Sequence, residues 1–229
     1  DESQNLGRQT RLQSDRVRNL TTAHVHAARH LQQPQAAAGR RGHCLGFGEF
    51  LDDFAGAVAR VRAAIAAKPL VVVAHSHGAL IALRQLCDPT RTSKDITALV
   101  LSSPFLALAL KVPRAKIVVS RIASRAVPGL TLPNGLSPAT ISHDPEVVRA
   151  RTLDPLCHRV ATARWFTEAT SAQEYVRANA ARLGVPSLWL LAGEDRIADA
   201  CVTRAVVARA GGDKALKVYD GFFHEVFNE

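Results

Sequence analysis

Apolar positions follow two periods along most of this chain. Phe50, Leu51, Phe54, Val58, Val61 and Ile65 recur at helical spacing, which predicts an amphipathic helix over residues 47–67. The run Leu70-Val71-Val72-Val73 is continuous and largely β-branched, and predicts a buried strand over 70–75. The helical pattern returns over 77–87 and again over 199–210, and further apolar runs predict strands over 97–102, 187–192 and 215–219. Buried strands alternating with helices predict a parallel sheet in an α/β protein. The interval between residues 104 and 186 is too long for one crossover and is expected to be an inserted subdomain. No internal repeat is evident.

The start of the chain breaks this pattern. Residues 1–46 hold no Ile, Phe, Tyr or Trp, yet carry Gln4, Gln9, Gln13, Gln32, Gln33 and Gln35 and seven arginines. Residues 1–40 are therefore expected to be poorly ordered or weakly helical. They are expected to be foreign to the fold that follows, through a frame error, a wrong start or truncation.

The first strand runs straight into Ala74-His75-Ser76-His77-Gly78. A strand leading into small-x-Ser-x-Gly and then a helix is the layout of a nucleophile elbow, where a crowded turn exposes a serine hydroxyl above the sheet. Gly78 satisfies the crowding fully and Ala74 nearly so. Ser76 is the candidate nucleophile. The backbone N–H of His77 is the candidate oxyanion donor, and one donor of that kind is typically worth about 10²–10³ in turnover. His75 is expected to pack below the turn, so that replacing it mainly affects stability.

A serine nucleophile needs a base and an acid, and on such an elbow the chain order is Ser, acid, His. Asp195 lies just past the predicted strand 187–192, with Glu194 and Asp199 as competing acids. A helix cap or turn residue is the alternative reading of Asp195. Among nine histidines, His224 is singled out by its place just after the last strand.

Five motifs fall in order: Arg41-Gly42-His43 with Phe50-Leu51-Asp52-Asp53, Ala74 to Gly78, Leu101-Ser102-Ser103-Pro104, Gly193 to Asp199, and Tyr219 to Glu225. From about Gly39 to Glu229 the chain thereby resembles the monoacylglycerol lipase and lysophospholipase branch of the α/β-hydrolases, whose core is the serine aminopeptidase-like hydrolase domain. The resemblance implies an α/β-hydrolase fold over 41–229 with a helical lid over about 105–186. It implies Ser76 as nucleophile, Asp195 as orienting acid and His224 as general base and acid. It also implies an ester of a single-chain lipid as substrate. Such enzymes take a second oxyanion donor from a His-Gly-type loop after an early strand, whereas the only His-Gly here is His77-Gly78, within the elbow. A peptidase or small-ester hydrolase on the same triad, a non-catalytic remnant and a lipid-surface binding protein are the competing readings.

Charge and cysteines narrow the partners. The formal net charge is +9, but the arginines are scattered and not interleaved with aromatics, so no nucleic-acid partner is expected. Between Pro113 and Val127, Arg114, Lys116, Arg121 and Arg125 accompany Val118, Val119 and Ile122. Such a helix either lies on an anionic membrane surface or turns its apolar side onto the lid's own core. Cys44, Cys87, Cys157 and Cys201 are far apart, so neither a zinc site nor a disulfide framework is expected, and the compartment is read as reducing and cytoplasmic. His26 and His30 stand four apart beside His24, a metal-like spacing, but no acid or cysteine is near. No metal or organic cofactor is expected. Phe105 to Leu110 either lines an acyl tunnel or packs into the core.

Overall fold

The computed structural model describes residues 42–229, except 66–67, 92–93, 111–113, 156 and 158. The expectations for residues 1–40, including the histidine cluster, lie outside the described residues. Helix α1 (Gly48–Ile65) leads to strand β1 (Val71–His75), helix α2 (His77–Leu86) and strand β2 (Ala98–Ser102). The chain returns to the sheet as strand β5 (Ser187–Ala192), helix α6 (Ala200–Arg209) and strand β6 (Lys214–Tyr219). Each lies within a few residues of the span read from periodicity, as expected where helix ends fray.

The four strands form one parallel sheet in the order β1-β2-β5-β6. Sequence neighbours β1 and β2 are linked through α2, so the crossover helix follows the elbow directly. All strands then end on one side, and the loops leaving β1, β5 and β6 are brought together there. Leu99, Leu101, Trp189 and Leu191 of the sheet pack with Leu80 and Leu83 of α2 in one fully enclosed core. Among the described residues β1 is an edge strand, and Val73 on it is 53% exposed.

Between β2 and β5 the chain forms helix α3 (Arg114–Ala126), strand β3 (Thr131–Pro133), helix α4 (Pro145–Leu153), strand β4 (Val160–Thr162) and helix α5 (Ala163–Asn179). β3 and β4 make a short antiparallel pair that periodicity does not reveal. Gly42 docks on it: Gly42 O accepts from Thr162 N at 2.8 Å. Its φ is +66°, and a Cβ there would meet Val160 O at 2.4 Å, so only glycine fits. Helix α5 packs on α2, placing Ala172 and Val176 in the main core, with Ala180 just past its end.

Helix α3 exposes apolar side chains together with Arg121 and Arg125. It buries Ser124, whose Oγ lies 2.8 Å from Thr167 Oγ1 of α5, and leaves Val118, Val119 and Ile122 more than half exposed. Phe105 and Leu106 are core residues whose carbonyls accept from Gln173 and Arg177 of α5, while Leu110 is exposed. No described helix is long and apolar enough to cross a membrane.

Candidate active site

Ser76 sits between β1 and α2 with φ 52° and ψ −118°, a conformation that side-chain-bearing residues rarely adopt. The turn is held on both sides. Ser76 N donates to Ser102 O at 2.9 Å, and Ser76 O accepts from Leu80 N and Phe105 N, both at 3.1 Å. The surrounding bonds thus offset the strain at the residue whose hydroxyl is presented.

The candidate acid comes from the β5 loop. Asp195 Oδ1 accepts from Ile197 N at 2.8 Å and Ala198 N at 2.9 Å, and its two carboxylate oxygens lie 3.0 and 2.8 Å from His224 Nδ1. The two readings of Asp195 are therefore not alternatives: one oxygen organises the turn while the carboxylate also meets the imidazole. Asp199 is occupied elsewhere, as the N-cap of α6 accepting from Val202 N at 3.0 Å. His224 Nε2 lies 2.8 Å from Ser76 Oγ. An ionised carboxylate only accepts, so Nδ1 carries the proton and Nε2 is left to accept from the serine hydroxyl. The Asp195 and His224 side chains are only 3% and 5% exposed, which limits screening by water.

The acid and base loops are set close together. Gly193 N donates to Tyr219 O at 2.8 Å and Glu194 N to Phe222 O at 3.0 Å. A Cβ on Gly193 would stand 2.9 Å from both Asp220 Cα and Tyr219 O. The base loop is also clamped from the insertion. Phe223 lies between the Arg196 guanidinium, 4.1 Å from its ring centre, and the His143 ring at 3.7 Å. Glu225 N donates to Ile141 O at 2.8 Å, and Arg151 NH1 donates to Glu225 Oε1 at 3.2 Å.

His77 opens α2, so its N–H belongs to the first turn, where no intrahelical acceptor exists. Its ring lies 5.1 Å from Phe50, 5.8 Å from Phe47 and 5.3 Å from Trp165. Its Nε2 is enclosed without a partner among the described residues, and burial pushes its pKa down to about 4. His75 does more than pack below the turn: its ring lies 4.8 Å from that of His224. Sequence reasoning missed this contact, the Phe223 clamp and the close approach at Gly193. The strand-terminal position of His75 is the one signal that hints at the first. Among the described residues no cluster of metal-ligating side chains occurs.

A strained serine after a parallel strand, linked through a histidine to an acid past a later strand, defines a serine hydrolase of the α/β-hydrolase fold. The comparisons agree: the chain belongs to the family described as serine aminopeptidase, S33, whose model matches residues 22–229. That match opens before Gly39, where the resemblance read from the motifs begins, and so overlaps the stretch expected to be foreign to the fold. The chain is 30% identical to phospholipase YtpA of Bacillus subtilis over 191 residues, covering 82% of this chain and 72% of that protein. It is 32% identical to the monoacylglycerol lipase of Mycolicibacterium smegmatis over 200 residues, covering 84% and 68%. The crystal structure of Paleococcus ferrophilus monoacylglycerol lipase superposes with a TM-score of 0.73 at 26% identity, covering 82% of this chain and 70% of that one.

Proposed function

We propose that this chain hydrolyses carboxylic esters of single-chain lipids, monoacylglycerols or lysophospholipids, through an acyl-enzyme. Ser76 Oγ attacks the ester carbonyl while His224 Nε2 takes its proton. His224 then gives that proton to the departing alcohol. Water attacks the acyl-enzyme with His224 again as base, Ser76 is restored and the fatty acid leaves. Asp195 holds the required tautomer and balances the imidazolium. The His77 N–H is one donor to the oxyanion. Nothing in this sequence of steps calls for a metal or organic cofactor.

The observation that carries this reading is the continuous chain of bonds from Asp195 through His224 to Ser76 Oγ, each link 3.0 Å or less, ending on an elbow serine. The lipid substrate class is supported by relatives named as a phospholipase and a monoacylglycerol lipase. A second reading, peptide or small-ester cleavage by the same groups, is favoured by the family's own description. A panel of monoacylglycerols and lysophosphatidylcholines of varied acyl length, beside p-nitrophenyl acetate and aminoacyl p-nitroanilides, separates the two. Lipid esters giving the highest kcat/KM are expected, and an anilide preference would overturn the assignment.

In this reading the insertion over about 105–186 acts as a lid, and its α3 contacts an anionic membrane surface. Support comes from the outward Val118, Val119 and Ile122 beside exposed Arg121 and Arg125. Sedimentation with phosphatidylglycerol vesicles is expected to weaken with added salt and in Val119→Asp/Ile122→Asp. Binding unchanged in both would remove the membrane contact.

A further inference from the structure

Two bonds within the plane of the His224 ring, to Asp195 at Nδ1 and to Ser76 at Nε2, aim that ring toward acid and nucleophile. They say little about its tilt, which depends on what packs against the ring. The ring packed against it is that of His75, 4.8 Å away between centroids and inclined at 59°. His75 is itself tethered. Its Nδ1 lies 3.2 Å from Ser102 Oγ, and Ser102 is fully buried on the adjacent strand, directly in register with it. The carbonyl of the same Ser102 accepts from Ser76 N at 2.9 Å.

These contacts close a circuit. The backbone of Ser76 is fixed on Ser102, Ser102 holds the His75 ring, His75 packs against His224, and His224 meets the hydroxyl of Ser76. A displacement of one ring therefore changes the distance on which proton transfer depends. We propose that His75 is a positioning residue: its Ser102-anchored ring holds the His224 imidazole at the tilt from which Nε2 reaches Ser76 Oγ. Burial, with the neighbouring His224 next in weight, pushes the pKa of His75 down to about 3. It remains a neutral wall while His224 gains and loses its proton beside Asp195. The inference rests on the triad assigned under the proposed function.

The test measures kcat and KM on p-nitrophenyl butyrate, and the rate of fluorophosphonate labelling, for the full chain. His75→Ala is expected to lower kcat about ten- to a hundredfold with KM within about twofold, since misplacing a reacting group by about 1 Å costs that much. His75→Phe restores a ring of similar size against His224 and is expected to return kcat to within about threefold of the parent. His75→Asn keeps a polar partner for Ser102 without the ring. It is expected to behave as His75→Ala, and substitutes for it if the alanine variant does not fold. Parental kcat in folded His75→Ala or His75→Asn overturns the proposal, and so does a folded His75→Phe as impaired as they are. Ser76→Ala and His224→Ala keep the two readings apart. If they retain labelling, the triad itself is wrong. If they lose it while the His75 variants do not, only the positioning role falls.

Discussion

Replacing Asp195 by Asn changes one atom of the site and inverts the logic of the base. The amide is isosteric with the carboxylate. Its oxygen takes over the bonds from Ile197 N and Ala198 N, at 2.8 and 2.9 Å. Its NH₂ then occupies the position of Oδ2, 2.8 Å from His224 Nδ1. A donor there requires Nδ1 to accept, so the ring proton moves to Nε2. That nitrogen lies 2.8 Å from Ser76 Oγ and no longer accepts its proton. A wrong tautomer of this kind costs about 10⁴ in kcat. At 1.36 kcal/mol per decade the barrier rises by about 5.4 kcal/mol. The fold should change little, because the turn keeps both backbone bonds and loses only their charge assistance, about 1 kcal/mol. The assay is kcat on p-nitrophenyl butyrate with thermal melts on the same samples. Glu194→Gln serves as the control for the neighbouring acid. An Asp195→Asn enzyme within tenfold of the parent, or an equal loss in Glu194→Gln, would refute the reasoning.

Two further outcomes follow from the same geometry. His75 and His77 titrate at 6.5 when unfolded, but near 3 and near 4 in the fold, so the unfolded chain binds more protons between those limits. Their contribution to stability is thus complete above pH 6.5 and is lost as pH falls through that window, by up to about 1.4 kcal/mol per pH unit for each ring. Denaturant titrations should show this slope, smaller in His77→Phe, and a stability unchanged between about pH 7 and pH 5 would contradict it. Gly193→Ala sets a methyl against the backbone at Asp220 and Tyr219, which should cost about 1–3 kcal/mol and lower kcat by separating the acid and base loops. A melting temperature and kcat equal to the parent's would show that this close approach is not needed.

The sheet was readable because its parallel strands appear as unbroken apolar runs, as in Leu70 to Val73 and Leu188 to Leu191, although Val73 on the edge strand and Leu188 are exposed among the described residues. The candidate nucleophile Ser76 was picked out by its strand and the candidate base His224 by its place after the last one, and the fold brings the two within 2.8 Å. The acid was harder. Glu194, Asp195 and Asp199 all follow β5, and only the folded chain reveals that Asp199 caps α6 while Asp195 faces the imidazole. The β3–β4 pair was hidden because three residues, one of them Pro133, carry no period. The orientation of α3 was hidden for another reason. An amphipathic pattern gives two faces but does not say which is covered, and here the Ser124–Thr167 bond lies on the covered side. The contact of His75 with His224 joins residues 149 positions apart, beyond any local signal.

The central claim is that Ser76 is a nucleophile activated by His224. Intact-mass measurement of the purified chain after fluorophosphonate treatment, with Ser76→Ala alongside, tests it most directly. The account predicts one adduct per folded chain, absent from Ser76→Ala. A folded chain that takes no label, or a label that persists in Ser76→Ala, would contradict it.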